Sequence, residues 1–184
     1  MGNKRLSILI PTLQKRSKLC QELTDELTRQ LTTEVEFMLL PDAGQRTIGE
    51  KRNALVEAAA GDYIAFIDDD DMISPDYIEK VMSALESSPD CTSLTGLIYD
   101  GSPSPRTFIH SIEYDGWYSK DGIDYRYPNH LNAVKRKYAE KAGFPEVNHG
   151  EDRAYSDRIQ QYLKREEKID GVIYHYYPGG SRAK

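Results

Sequence analysis

The chain has 184 residues, 39% of them hydrophobic, with 30 acidic against 24 basic side chains and a formal net charge of −6. That is enough apolar material for one globular domain and well away from the disordered class, while the acidic balance argues against a surface built to wrap a polyanion. Two cysteines, Cys20 and Cys91, make no disulfide framework, and no run approaches the ~18 apolar residues of a membrane span, so a reducing cytoplasm is the expected compartment.

The first apolar, β-rich run, "LSILIP", reads as a strand that Pro11 should end. From Ser17 onward, Leu19, Leu23, Leu27 and Leu31 recur every four residues, which predicts an amphipathic helix with Cys20 on its apolar side. "VEFMLL" is a second strand. The alanine-rich "GEKRNALVEAAA", residues 49 to 60, reads as a helix closed by Gly61, and "DYIAFI" is a third strand. Ser74 and Pro75 suit the start of another helix that turns Ile78, Val81, Met82 and Leu85 inward. The order β-α-β-α-β-α, with strands apolar enough to be covered on both faces, gives an α/β fold.

Beyond this, "TSLTGLIY" is a strand and "SPSP" a break. Residues 107 to 128 form a tyrosine-rich stretch in which "SKDG" suggests a hairpin turn. "AVKRKYAEKAG" reads as a helix ending at Gly143, a further helix begins near Glu151 with Tyr155, Ile159, Tyr162 and Leu163 on one face, and "GVIYHYY" is a closing strand. There are no repeats and no linker, so residues 1–184 read as one unit.

The chemistry concentrates at "FIDDDD", where a strand delivers Asp68, Asp69, Asp70 and Asp71 at its carboxyl end, the place where open α/β sheets bind ligands. Strand alternation would send Asp68 and Asp70 to one side and Asp69 to the other. Clustered carboxylates raise one another's pKa unless a cation neutralises them, and hard oxygen donors select Mg²⁺ or Mn²⁺. The plain alternative is a set of solvated loop and helix-cap charges. Glu151 and Asp152 in "HGEDRAYSDRI" could equally be first-turn acids that complement a helix dipole, and His175 near a strand end could be a satisfied structural histidine. The aromatic stretch with Tyr114, Trp117, Tyr118, Tyr125 and Tyr127 could stack on a sugar or a base, or simply pack a hairpin.

Taken in order, "SILIPT", "IGEKRNALVEAAAGDYIAFIDDDDMISPDYI", "NAVKRKYAEKAGFPEVNHGEDRAYSDRI" and "YYPGGS" resemble a GT-A glycosyltransferase of the family 2 type over most of the chain. The resemblance implies a single GT-A, Rossmann-like domain with a mixed, mostly parallel central sheet flanked by helices. Residues 1 to 90 would form the nucleotide-sugar-binding half and residues 91 to 184 the acceptor-side half. It implies an inverting, metal-dependent hexosyl transfer from a nucleotide-diphosphate sugar, a UDP-sugar first among them, to the hydroxyl of a glycan, a modified nucleic acid or another carrier. Pro11, Thr12, Asp42, Lys51, Arg52, Asp68 and Asp69 would bind the nucleotide sugar. Asp70 and His175 would hold Mn²⁺ or Mg²⁺, Asp152 with Glu151 beside it would be catalytic, and Trp117 and Tyr118 would face the acceptor. "PDAG" lacks the first acid of the family's D-D-G-S, which puts the nucleobase pocket in question. A metal-dependent phosphohydrolase and a non-catalytic nucleotide-sugar-binding module are the rival readings.

Overall fold

The computed structural model describes residues 4–183. In chain order the elements are β1 (Leu6–Leu13), α1 (Ser17–Gln30), β2 (Val35–Asp42), α2 (Ile48–Ala58), β3 (Tyr63–Phe66), β4 (Met72–Ile73), α3 (Tyr77–Leu85), β5 (Cys91–Thr92) and β6 (Leu94–Ile98). They continue with β7 (Arg106–His110), β8 (Tyr118–Lys120), β9 (Ile123–Arg126), β10 (Val134–Lys135), α4 (Arg136–Ala142), α5 (Glu151–Ile159), β11 (Glu166–Glu167) and β12 (Tyr174–Tyr176). Short 3₁₀ turns follow β1, α5 and β12. Among the described residues no helix is long and apolar enough to cross a membrane.

The first sheet runs β11-β5-β10-β3-β1-β2 and is mixed, with the central β1 parallel to both β2 and β3. Alternation along β1 sends Leu6, Ile8 and Ile10 into an apolar cluster with Leu23 and Leu27 of α1 and Ile78, Val81 and Leu85 of α3. Leu9 enters the opposite cluster, with Leu55 of α2, Ala139 of α4 and Tyr155 and Ile159 of α5. On β3, Ala65 follows the first set and Ile64 and Phe66 the second. Both faces are therefore covered, as the unbroken apolar strands required, and the α/β expectation holds.

Some boundaries differ from those read in the sequence, each for a local reason. β1 runs through Pro11 to Leu13. The Leu9 carbonyl accepts from the Ile67 amide on the β3 side, and Pro11, of the same parity, faces that side after β3 has ended, so its missing N–H breaks no ladder. Leu31 lies beyond the end of α1 in extended backbone and is exposed. Ser74 bonds the Asp76 side chain, and α3 starts only at Tyr77.

The second sheet, β4-β12-β6-β7-β9-β8, was not anticipated as a separate layer. Its strands are two to five residues long and carry little periodicity of their own. Its one clear local signal is the "SKDG" hairpin between β8 and β9, where Asp121 (φ 53°) and Gly122 (φ 77°) supply the two left-handed residues of a tight turn.

What positions the site is the docking of α2 on residues 144 to 148. Thr47 and Glu50 close a reciprocal capping box at the α2 start. The Asn53 amide then makes both a donated (2.9 Å) and an accepted (2.8 Å) bond with the Phe144 backbone, and the Ile48 amide donates to Asn148 Oδ1 at 3.1 Å. Gly49 lies against this segment so closely that an added Cβ would stand 1.8 Å from the Pro145 carbonyl oxygen. Gly49→Ala is therefore expected to destabilise the fold by roughly 1–3 kcal/mol, because backbone on both sides must move. Chemical denaturation with an unchanged m-value checks this.

Candidate active site

The acidic run leaves β3 at the carboxyl end of the first sheet and turns at once, with the Asp71 amide donating to the Asp68 carbonyl at 3.1 Å. The turn gives its four carboxylates different surroundings. Asp68 continues the Phe66 side of the strand toward α2 and α5, where Arg52 donates to it at 2.8 Å. Arg52 also holds Glu151, at 3.1 Å, across the start of α5. It is 3% exposed and lies 5.6 Å and 5.5 Å from the ring centroids of Phe66 and Phe144. Burial opposes the charge on Asp68, but Arg52 and His130 outweigh it and hold the carboxyl well below the usual range.

Asp69 turns to the α1 side, accepting from Thr12 Oγ1 at 2.6 Å and Arg16 at 2.7 Å. Asp70 joins it there, 3.2 Å from the same guanidinium, and does not follow Asp68 as strict alternation would have it. Burial raises the pKa of Asp70, Arg16 opposes that rise, and the charges of Asp68 and Asp69 add to it. Asp71 faces inward. Its two oxygens accept from the Tyr174 hydroxyl (2.7 Å) and the Tyr177 amide (2.8 Å), and burial together with the Asp68 charge pushes it up to about 8.

Two adjoining cavities share Asp68. The larger, about 510 Å³, contains Pro11, Thr12, Lys51, Arg52, Asp68, Asp69, Asp70 and Glu151 in its wall. Sequence reasoning had singled out all of these, but it missed Arg16, Arg46, Asn148 and His149, which line the same space. Asp42 stands behind Lys51, with one oxygen 3.0 Å from the ammonium and the other accepting from the Arg46 amide at 2.9 Å. The smaller cavity, about 80 Å³, is bounded by Asp68, Asp71, Arg126, His130, Asp152 and Tyr176, among others. Glu151 and Asp152, neighbours in the first turn of α5, are thus separated: the former is buried on Arg52, the latter opens into the second cavity.

Three expected site residues find other company. Strand alternation along β12 turns His175 away from Tyr174 and Tyr176, and its Nδ1 lies 3.0 Å from the Tyr99 hydroxyl; it lines neither of the two cavities. The Trp117 indole is engaged by protein cations, with Arg126 and Arg153 each 4.8 Å from its centroid. Tyr118 is exposed and stacks on Tyr125 at 5.2 Å.

Among the described residues no group of three or more His, Cys, Asp or Glu is arranged to enclose a metal ion. The donor set fits an open site instead. Mg²⁺ takes one or two protein carboxylates and leaves its other positions to water and phosphate oxygens, and Asp70, raised by burial and by the Asp68 and Asp69 charges, is a carboxylate whose charged form a cation would favour.

Because Arg52 is the shared partner of Asp68 and Glu151, its removal leaves two poorly solvated carboxylates unpaired. Arg52→Ala should cost about 3–5 kcal/mol in denaturant-unfolding stability. Arg52→Lys should recover only part of this, since an ammonium cannot reproduce the two-armed bridge.

The profile of Glycosyl transferase family 2 matches residues 39–144. An uncharacterized glycosyltransferase of Bacillus subtilis (strain 168), YwdF, is 30% identical over 106 residues, covering 46% of this chain and 39% of that protein. A putative glycosyltransferase of the same organism, EpsH, is 27% identical over 146 residues, covering 70% of this chain and 41% of its own length. The chain therefore spans about two fifths of the length of the curated relatives it matches. The crystal structure of S. aureus TarS residues 1–349 in complex with UDP superposes with a TM-score of 0.74 at 16% identity, covering 94% of this chain and 60% of that one. At that identity the likeness carries the fold, which is the expected GT-A type. With more than half of its residues inside the family profile, the chain belongs to glycosyl transferase family 2.

Proposed function

We propose that this chain transfers a sugar from a nucleoside-diphosphate sugar, a UDP-sugar by analogy with the UDP complex of TarS, to an acceptor hydroxyl with inversion at the anomeric carbon. The observation that carries the reading is the pair of cavities meeting at Asp68, with a cation-rich donor side and Asp152 on the other. Most of the donor side comes from residues before about 90, the proposed nucleotide-sugar half, with Asn148, His149 and Glu151 reaching in from the proposed acceptor half.

In this reading Pro11, Thr12 and Lys51 wall the nucleotide, and Asp42 holds Lys51 in place. Arg16 and Arg46 face the diphosphate, and Asp68 and Asp69 hold the sugar-nucleotide by their remaining acceptor capacity. Asp70 would hold Mg²⁺ or Mn²⁺, which when bound neutralises charge on the diphosphate as a Lewis acid. Asp152 takes the acceptor's hydroxyl proton as its oxygen forms the new bond to the anomeric carbon, while the bond from that carbon to the diphosphate breaks and its electron pair leaves with the nucleotide. Glu151, committed to Arg52, positions that carboxylate without exchanging a proton. Opposed placement of base and leaving group supplies the orientation that inversion needs.

Two measurements test this. UDP binding by calorimetry should depend on Mn²⁺ or Mg²⁺ in the wild type and lose that dependence in Asp70→Ala; metal-dependent affinity that survives in the variant would remove Asp70 from the metal site. Asp152→Asn should lower kcat for transfer by at least ~10²-fold with UDP affinity and melting temperature nearly unchanged, because an amide cannot accept the proton. Full activity in that variant would leave the mechanism without its base and favour a plain binding module.

A further inference from the structure

The smaller cavity has donors whose hydrogen-bonding capacity the protein leaves largely unmet. His130 is 5% exposed; its Nε2 makes a long 3.5 Å contact with an Asp68 oxygen that helps hold that carboxyl low, and neither ring nitrogen has a full hydrogen bond. Arg126 lines the same space, and its closest carboxylate oxygen, on Asp124, is 3.9 Å away and already held by Arg106 at 3.0 Å. His130 is the buried one of the two, and a buried polar group without a partner costs free energy that a bound ligand would recover; Arg126, 28% exposed, adds its charge. The acids in the wall do not supply this partner. One Asp68 oxygen accepts from Arg52 and the other stands 3.5 Å from His130, and both oxygens of Asp71 are taken by Tyr174 and Tyr177. Asp152 is the one left open to the cavity, and it makes no bond to Arg126 or His130.

We infer that this cavity receives an oxyanion carried by the acceptor, a phosphate or a carboxylate, with Arg126 and His130 as donors and the hydroxyl to be glycosylated held at Asp152. The inference rests on the transferase reading above and narrows its acceptor from any hydroxyl compound to an acidic one. At about 80 Å³ the space suits a compact charged group better than a sugar ring. Trp117 holds Arg126 in place from behind by packing against its guanidinium, so the cation is preorganised without being neutralised.

Trp117 is the chain's single tryptophan and touches Arg126, so its fluorescence reports on this site. The probes are glycerol, glycerate and glycerol 1-phosphate, which share a skeleton and differ in charged group. One or both anions should give a saturable fluorescence change that glycerol does not, and the preferred anion identifies which source the site is built for. Arg126→Gln should weaken that binding about tenfold or more, and His130→Asn should weaken it in the same direction, with melting temperatures confirming that both variants are folded. Equal responses to glycerol and to its acidic derivatives, no response to either anion, or unchanged affinity in folded Arg126→Gln would each overturn the inference. UDP affinity measured on the same samples is governed by the other cavity: its absence in the wild type would sink the transferase reading, while the selectivity among the three probes decides this one.

Discussion

A single buried guanidinium holds the site together. Arg52, sandwiched by Phe66 and Phe144, ties the last strand residue's neighbour Asp68 to Glu151 at the start of α5, and so joins segments 83 residues apart in the chain. A buried charge of this kind survives only if its partners satisfy it, and the two partners are acids that themselves need a cation in low dielectric. Each member thus fixes the other two. Because Arg52 sits on α2 one turn from Gly49 and next to Asn53, the same helix face that clasps residues 144 to 148 also delivers the bridge.

The four consecutive aspartates coexist because the backbone turns between them. One is neutralised by Arg52, two share Arg16, and the last is buried against Tyr174, where burial and the neighbouring Asp68 charge push its pKa up to about 8. Their mutual repulsion is thereby divided among three separate environments. Asp70 is the member with the least protein compensation, since it takes the longer arm of Arg16 and is raised by both of its acidic neighbours.

Much of this was legible in the sequence. The apolar strands, the leucine repeat of α1 and the turn residues of "SKDG" each follow from one local rule, and they gave the α/β layering and the hairpin. The residues lining the larger cavity were legible for a different reason: they lie at strand ends and helix starts whose motifs resemble those of a known family. The side of β12 that His175 takes was not legible, because a strand of three residues gives no phase from which to read alternation. Arg16, Arg126 and His130 were invisible because each works through contacts with residues far away in sequence, and an isolated arginine or histidine carries no spacing signal. The second sheet was missed for the same reason, since its short strands are specified by pairing partners more than by their own pattern.

The acidic run is also the seam between the two sheets. The Asp68 amide donates to the Tyr174 hydroxyl, that hydroxyl donates to Asp71, and the Tyr177 amide and Arg182 close on Asp71 from the segment after β12. β12 belongs to the second sheet and β3 to the first, so the acidic turn that follows β3 is bonded directly to the layer that supplies Arg126 and Tyr176. At this joint burial and the Asp68 charge push Asp71 up, while the bonds it accepts from Tyr177 and Tyr174 oppose that rise. The Tyr174 hydroxyl, donating to Asp71 and accepting from the Asp68 amide, thus links the acidic turn after β3 to β12 at the place where the two cavities adjoin.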